Sequence, residues 1–103
     1  MSVAKGYWIV HVDVTDPEAY KNYIAANALP FAKYGARFIV RGGQATMQAG
    51  TLRPRHVVLE FKDYATALAC HDSPEYQLAV AVRDKASLAD LTIVEGYDGP
   101  QPG

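Results

Sequence analysis

Alternating apolar and polar residues predict a β-strand at residues 7–14, which read YWIVHVDV. Successive side chains of a strand point to opposite faces, so the even and odd positions form two separate surfaces. The even positions form an apolar face, and the odd positions form a mixed one: Trp8, Val10, Val12 and Val14 against Tyr7, Ile9, His11 and Asp13. The stretch therefore predicts a strand with one face in the core.

A helix is predicted to follow, beginning at Pro17 after the N-cap residue Asp16 and ending at Gly35. Apolar and aromatic residues recur along it at spacings of three and four, which places them on one face. Pro30 removes a backbone hydrogen bond, so we expect a kink or a break near Leu29. The predicted buried face consists of Tyr20, Tyr23, Ile24, Asn27, Phe31 and Tyr34.

The rest of the chain predicts three more strands and a second helix in two pieces. The predicted strands are 36–42, 55–61 and 91–94, and the two helical pieces are 64–71 and 74–86, with a turn-rich connection at 42–54. The order β-α-β-β-α-β matches the α+β ferredoxin-like plan, an antiparallel sheet with its helices on one face. We expect a single domain over residues 1–97 and a flexible tail at 98–103.

The two faces of the predicted sheet differ in a way that suggests a partner. One face is apolar throughout and must lie under the helices: Trp8, Val10, Val12, Phe38, Val40, Val57, Leu59, Phe61, Leu91 and Ile93. The helix-free face is mixed, but it still carries Ile9, Ile39, Val58 and Val94 among polar residues. Burying each of these four would contribute on the order of 1.5–3 kcal/mol. We therefore expect a homodimer that closes this face and encloses a cavity between the two sheets.

Composition narrows the class of protein without pointing to a reaction. The chain has 103 residues and a net charge of −1, which gives no reason to expect a nucleic-acid or membrane partner. The third strand offers His56, Val58 and Glu60 where an RNA-recognition sheet would present aromatic rings. Cys70 is the only cysteine, and the first residues carry no signal-peptide pattern, so we expect a cytoplasmic protein.

Three polar residues of the helix-free face are the candidate catalytic residues. His11 is the candidate acid or base because histidine titrates near neutrality, and Glu60 on a neighbouring strand could orient it. Arg41, predicted on the same face as Arg37 and Ile39, is the candidate clamp for an anionic oxygen. The structural alternatives are a histidine hydrogen-bonded in the dimer interface and an Arg41–Glu60 ion pair, or an arginine that reaches the sheet rim.

Further polar side chains nearby are candidate ligand-binding residues: Tyr7, Tyr34, Arg37 and His56. The two tyrosines have packing roles as their alternative. We expect no metal site, since His56 and Glu60 are about 13 Å apart along the strand and few nitrogen or sulfur ligands converge. The Gly42-Gly43 pair follows a strand but precedes no helix, so it does not form a glycine-rich phosphate loop. We expect no cofactor, haem included.

Several stretches together resemble a known bacterial family: YGARFIVRGG (34–43), RPRHVVLEF (53–61), SPEY (73–76) followed by Arg83, and IVEGY (93–97). In this order and spacing, over residues 5–97, the chain resembles the domain of unknown function DUF 1330 of the dimeric α+β-barrel superfamily. The resemblance implies a ferredoxin-like subunit and a dimer whose sheets form a barrel. It implies no reaction. Similar folds in the superfamily belong to cofactor-free monooxygenases, muconolactone isomerases and haem-dependent enzymes, which is an analogy of fold.

The function expected from the sequence is a small homodimeric domain with a small-molecule pocket. The leading hypothesis is a cofactor-free enzyme, similar to a monooxygenase or an isomerase, that acts on a small anionic or enolisable compound. The alternative is a non-catalytic ligand-binding or stress-associated structural domain whose polar interior satisfies itself.

Overall fold

A computed structural model describes residues 3–103 and contains four strands and three helices. The elements are β1 (Gly6–Val14), α1 (Pro17–Tyr34), β2 (Arg37–Arg41), β3 (Arg55–Phe61), α2 (Tyr64–Asp72), α3 (Pro74–Ala86) and β4 (Ser87–Glu95). The sheet order is β2-β3-β1-β4, and all neighbouring strands are antiparallel. The predicted α+β ferredoxin-like plan is confirmed, with β1 and β3 in the centre of the sheet.

Helix α1 has the predicted ends but does not break at its proline. The Asp16 carboxylate accepts a hydrogen bond from the Ala19 amide at 3.1 Å, and Gly35 ends the helix in the left-handed region with φ 69°. The helix nevertheless runs unbroken through Pro30, so of the expected kink or break near Leu29 the break is wrong. An interior proline costs about 3 kcal/mol. Here its ring is fully buried, and this packing offsets the lost hydrogen bond.

The second helical layer divides at Ser73, as the sequence predicts. The Ser73 hydroxyl donates to the Cys70 carbonyl at 2.7 Å and accepts from the Tyr76 amide at 3.2 Å, so one side chain ends α2 and begins α3. Strand β4 is longer than predicted because its ladder with β1 continues to the pair Val14–Ser87. The connection 42–54 forms no strand.

The core lies between the sheet and the helices and is built around the only tryptophan. Trp8 is fully buried, and its indole N–H donates to the Ala67 carbonyl at 2.9 Å. Its ring meets the rings of Phe31 and Tyr76 edge to face, with centroids 5.4 and 4.8 Å apart. The even positions of β1 are thus confirmed as the core face.

A β-bulge in β2 changes which residues face the helices. Phe38 pairs with Leu59, but the register then shifts by one residue, so that Val40 pairs with Val58 and Arg41 with Val57. Because directly paired residues point to the same side of a sheet, Val40 turns to the helix-free face and Arg41 turns toward the helices. The expectations that Val40 belongs to the core face and that Arg41 shares the face of Arg37 are therefore wrong.

Candidate functional site

A narrow cavity lies between the sheet and helix α1. Its volume is about 30 Å³, room for about two water molecules, so it admits only a small chemical group without movement of its walls. Most of the wall is apolar or aromatic. The lining residues are Trp8, Val10, Val12, Tyr20, Tyr23, Ile24, Asn27, Phe31, Phe38, Arg41, Arg55, Val57, Leu59, Arg83 and Leu91.

All the charged residues that line this cavity are arginines. The Arg41 guanidinium stacks over the Phe38 ring at 4.1 Å, and the Arg55 guanidinium lies 5.9 Å from the centre of the Tyr20 ring. Neither group has a carboxylate within ion-pair distance among residues 3–103, and the buried Arg55 Nε has no hydrogen-bond partner there. A buried cationic donor without a partner is costly. The arrangement therefore favours an anion at this end of the cavity.

A chain of hydroxyl groups leads from the cavity wall into the core. The Tyr23 and Tyr76 hydroxyls are 2.7 Å apart, and Arg83 donates to the Tyr76 hydroxyl at 3.4 Å. Arg83 also pairs with Asp84 at 3.2 Å. Burial raises the pKa of Tyr23, and the neighbouring Tyr76 raises it further. The Tyr23 hydroxyl consequently stays protonated at neutral pH and can act as a hydrogen-bond donor, but not as a base.

The helix-free face holds a second set of polar contacts. His11 and His56 are paired across β1 and β3, and their Nδ1 atoms are 2.8 Å apart. Nearby, the Tyr7 hydroxyl donates to Glu60 at 3.1 Å, and Arg37 lies 3.6 Å from the same carboxylate. Partial burial, followed by the effect of Glu60, raises the pKa of Tyr7. These contacts form a surface network on the side of the sheet opposite to the cavity.

The sequence of this chain matches the profile of one known protein family. The sequence profile of the family described as "Domain of unknown function (DUF1330)" matches residues 5–97, nearly the whole chain. The protein belongs to the DUF1330 family. No curated protein matches the chain significantly.

Solved structures share the fold of this DUF1330 protein at low sequence identity. RPA0582, a protein of unknown function from Rhodopseudomonas palustris, is 16% identical with a TM-score of 0.72, over 93% of this chain and 85% of that chain. SnoaB, a cofactor-independent oxygenase from Streptomyces nogalater, is 12% identical with a TM-score of 0.62, over 97% of each chain. A conserved protein of unknown function from Bacteroides thetaiotaomicron, described as a possible oxidoreductase, is 16% identical with a TM-score of 0.55, over 91% of this chain and 99% of that chain. At these identities the likeness shows the fold alone.

The structure separates the three residues that the sequence grouped as catalytic. Arg41 lies at the cavity, whereas His11 and Glu60 lie on the other face of the sheet. On that face the Glu60 carboxylate meets Tyr7 and Arg37, and His11 meets His56. The sheet itself therefore stands between the candidate base and the candidate anion clamp, and the geometry gives no single site that contains all three.

The candidate ligand-binding residues also lie outside the cavity. Tyr7, Arg37 and His56 belong to the helix-free face, and Tyr34 lines a shallow surface cleft beside Lys33. Sequence reasoning thus gave no site role to three residues that the structure places in the cavity wall: Tyr23, Asn27 and Arg55. A signal for two of them was present. Asn27 lies on the buried face of α1, and Arg55 has the same parity as the core residues of β3.

The thiol of Cys70 is not a candidate reactive group. Cys70 is buried, and this burial raises the pKa of its thiol to about 12, so it stays protonated and unreactive at neutral pH.

Within residues 3–103, none of the helices is both long enough and apolar enough to cross a bilayer.

Proposed function

We propose that this DUF1330 protein is a homodimer that binds a small anionic or enolisable organic compound, whose anionic group enters the cavity beneath α1. The observation that carries the proposal is the pair Arg41 and Arg55, two guanidinium groups without carboxylate partners beside an aromatic wall. A guanidinium presents a planar fork of donors that suits a carboxylate or an enolate oxygen. An anion bound here would satisfy the buried Nε of Arg55 and offset both charges.

The cavity also supplies one part of an enolisation step, the stabilisation of the charge that develops on oxygen. Because the Tyr23 hydroxyl is not a base, the proton that leaves carbon would pass to water or hydroxide. Developing negative charge on an enolate oxygen is stabilised by fixed donors in a site that excludes water. Arg41 and Arg55 would provide that stabilisation, and the protonated Tyr23 hydroxyl would provide a neutral donor on the same wall. The shared fold of a cofactor-independent oxygenase supports, by analogy of fold, a catalytic role that needs no cofactor.

Homodimerisation is supported by the apolar side chains that the sheet leaves uncovered. Ile39, Val40, Leu88 and Val94 are 45, 39, 55 and 40% exposed. The register places Leu88 and Val94 opposite Asp13 and Tyr7 of the helix-free face, and the bulge adds Val40 to it. A second copy packed on this face would remove these groups from water.

The binding proposal is tested with acetate and pyruvate as small carboxylate probes, of which pyruvate can enolise. Both are titrated into the native chain and followed through chemical shifts of the cavity residues. Arg41→Met and Arg55→Met should each weaken binding about 10- to 150-fold, the range for a lost charge-assisted hydrogen bond. Arg37→Met is the matched control, because Arg37 lies on the same strand as Arg41 but pairs with Glu60 on the opposite face.

A second measurement on the same samples separates catalysis from simple binding. Pyruvate in D₂O exchanges its methyl protons only through its enol, so exchange faster than in buffer alone would show enolisation by the protein. Exchange that is lost in Arg41→Met but kept in Arg37→Met would support the enzyme. Binding without exchange would support the non-catalytic alternative, and titrations in which neither probe shifts the cavity residues would contradict the proposed site.

A further inference from the structure

The pair His11 and His56 has a geometry that the cavity does not explain. The two residues face each other directly across β1 and β3, and their imidazole rings cross at 80° with centroids 5.0 Å apart. Their Nδ1 atoms point at one another at 2.8 Å, and neither ring has another hydrogen-bond partner among residues 3–103. Both side chains are half-buried on the helix-free face, away from the cavity.

A ring that carries its proton on Nδ1 can donate it to the bare Nδ1 of the other ring, which accounts for the 2.8 Å contact. A metal ion that replaced this proton would be held by both nitrogens. Zinc–imidazole bonds are about 2.0–2.1 Å long, and two such bonds at angles between 90° and the tetrahedral value would put the nitrogens about 2.9–3.4 Å apart. The observed separation lies just below this range, so the rings need to part slightly and turn toward a common point to admit the ion.

Two carboxylates lie near the pair, and both are already paired with one arginine. Asp90 of β4 pairs with His11 from the other side, and Asp13 lies two residues further along β1 on the same face. Both carboxylates already hold a cation, since Arg53 lies 3.0 Å from Asp90 and 3.7 Å from Asp13. Among residues 3–103, no group of three or more His, Cys, Asp or Glu side chains is close enough to hold a metal. An ion at this position would therefore have two protein ligands and complete its coordination with water.

We propose that His11 and His56 form a binding site for a divalent transition-metal ion of the zinc, nickel or copper type. Imidazole nitrogen suits these ions, whereas magnesium and calcium prefer oxygen ligands. Ligand spacing along single strands predicts no such site. The pair exists only through the register between β1 and β3. The site lies on the opposite side of the sheet from the cavity and does not depend on anion binding there, but it shares the helix-free face with the proposed dimer contact.

The test is a titration of the native chain, freed of any affinity tag, with zinc chloride and nickel chloride at pH 7.5. The expected result is one ion per chain, with an affinity that falls at pH 5.5 because protons compete for the same nitrogens. His11→Ala and His56→Ala should each lower the affinity at least tenfold. His71→Ala should leave it unchanged, since His71 contacts Asp72 and Tyr76 on the helix layer.

A readout on the native chain keeps the proposal testable if a variant does not fold. Zinc should shift the imidazole proton resonances of His11 and His56 together while those of His71 stay in place. The proposal would be overturned if the native chain showed no saturable zinc binding, so that the two rings only share a proton. It would also be overturned if the His11→Ala and His56→Ala chains bound zinc as tightly as the native chain does.

Discussion

Gly42 offers the sharpest test of the anion site, because it sets the position of Arg55 without carrying any charge. It follows β2, its φ is 64°, and its amide donates to the His56 carbonyl at 2.8 Å. A Cβ atom built on Gly42 would overlap Nη1 of Arg55 and lie 2.8 Å from its Cζ. The absence of a side chain at this glycine therefore leaves the space that the Arg55 guanidinium occupies.

Gly42→Ala should produce two effects of different origin. Alanine in the left-handed region costs about 1–2 kcal/mol of stability. The overlap with Arg55 should add little to this, because the guanidinium is the end of a flexible side chain and can move away. Its movement should instead remove Arg55 from the anion, which corresponds to a loss of affinity of about 10- to 150-fold for a charge-assisted hydrogen bond.

Gly50→Ala is the matched control for backbone strain. Gly50 also has a positive φ, 77°, but a Cβ there would meet no atom within 4 Å. Urea unfolding should show similar losses of stability for both variants, whereas titration with acetate and pyruvate should show weakened binding for Gly42→Ala alone. Equal probe affinities in the two variants would refute the role of Arg55, and with it the argument that this end of the cavity is built for an anion.

Two further predictions concern the buried hydroxyls and the dimer. A tyrosine in the unfolded chain loses its proton near pH 10, whereas the raised pKa of Tyr23 keeps this residue protonated in the folded chain. The free energy of unfolding should therefore fall above pH 10, by up to about 1.4 kcal/mol per pH unit. Between pH 8 and 11.5, urea unfolding should show a smaller fall in the free energy of unfolding for Tyr23→Phe than for the control Tyr97→Phe, which alters an exposed ring. Identical dependence on pH in the two variants would contradict the raised pKa of Tyr23. In solution, the native chain should have twice its 11.2 kDa mass. Leu88→Asp on the helix-free face should reduce this to one chain, while Leu78→Asp on α3 should not, and a native chain of single mass would exclude the dimer.

The sequence was sufficient to predict the elements because their signals are local. Alternation in β1, the cap at Asp16 and the stop at Gly35 each depend on a few neighbouring residues, and all three appear where they were expected. Helix α1 continues through Pro30, and the reason is tertiary. The proline is fully buried, and the Cys70 thiol of α2 approaches its carbonyl at 3.8 Å. Helix propensity describes an isolated helix, whereas here burial in the core stabilises the helix despite its proline.

The candidate site was harder to predict because it depends on pairing between strands. Strict alternation along β2 assigns Arg41 to the helix-free face, and nothing within RFIVR itself marks a bulge. The extra residue becomes visible only when β2 is matched against β3. The same limit applies to His11 and His56, whose contact follows from the register of β1 and β3.

The bulge also has an energetic consequence that links the cavity to the dimer. A regular β2 would bury Val40, worth about 1.5–3 kcal/mol, and leave Arg41 on the helix-free face. The observed strand does the reverse: it exposes Val40 and turns a guanidinium toward an aromatic wall where no carboxylate among residues 3–103 meets it. Exposing Val40 is unfavourable for an isolated chain, whereas Arg41 stays exposed to water and lacks only a partner. A second copy over Val40 would offset the first change, and an anion beside Arg41 would supply the partner. Such local conflicts are typical of functional positions.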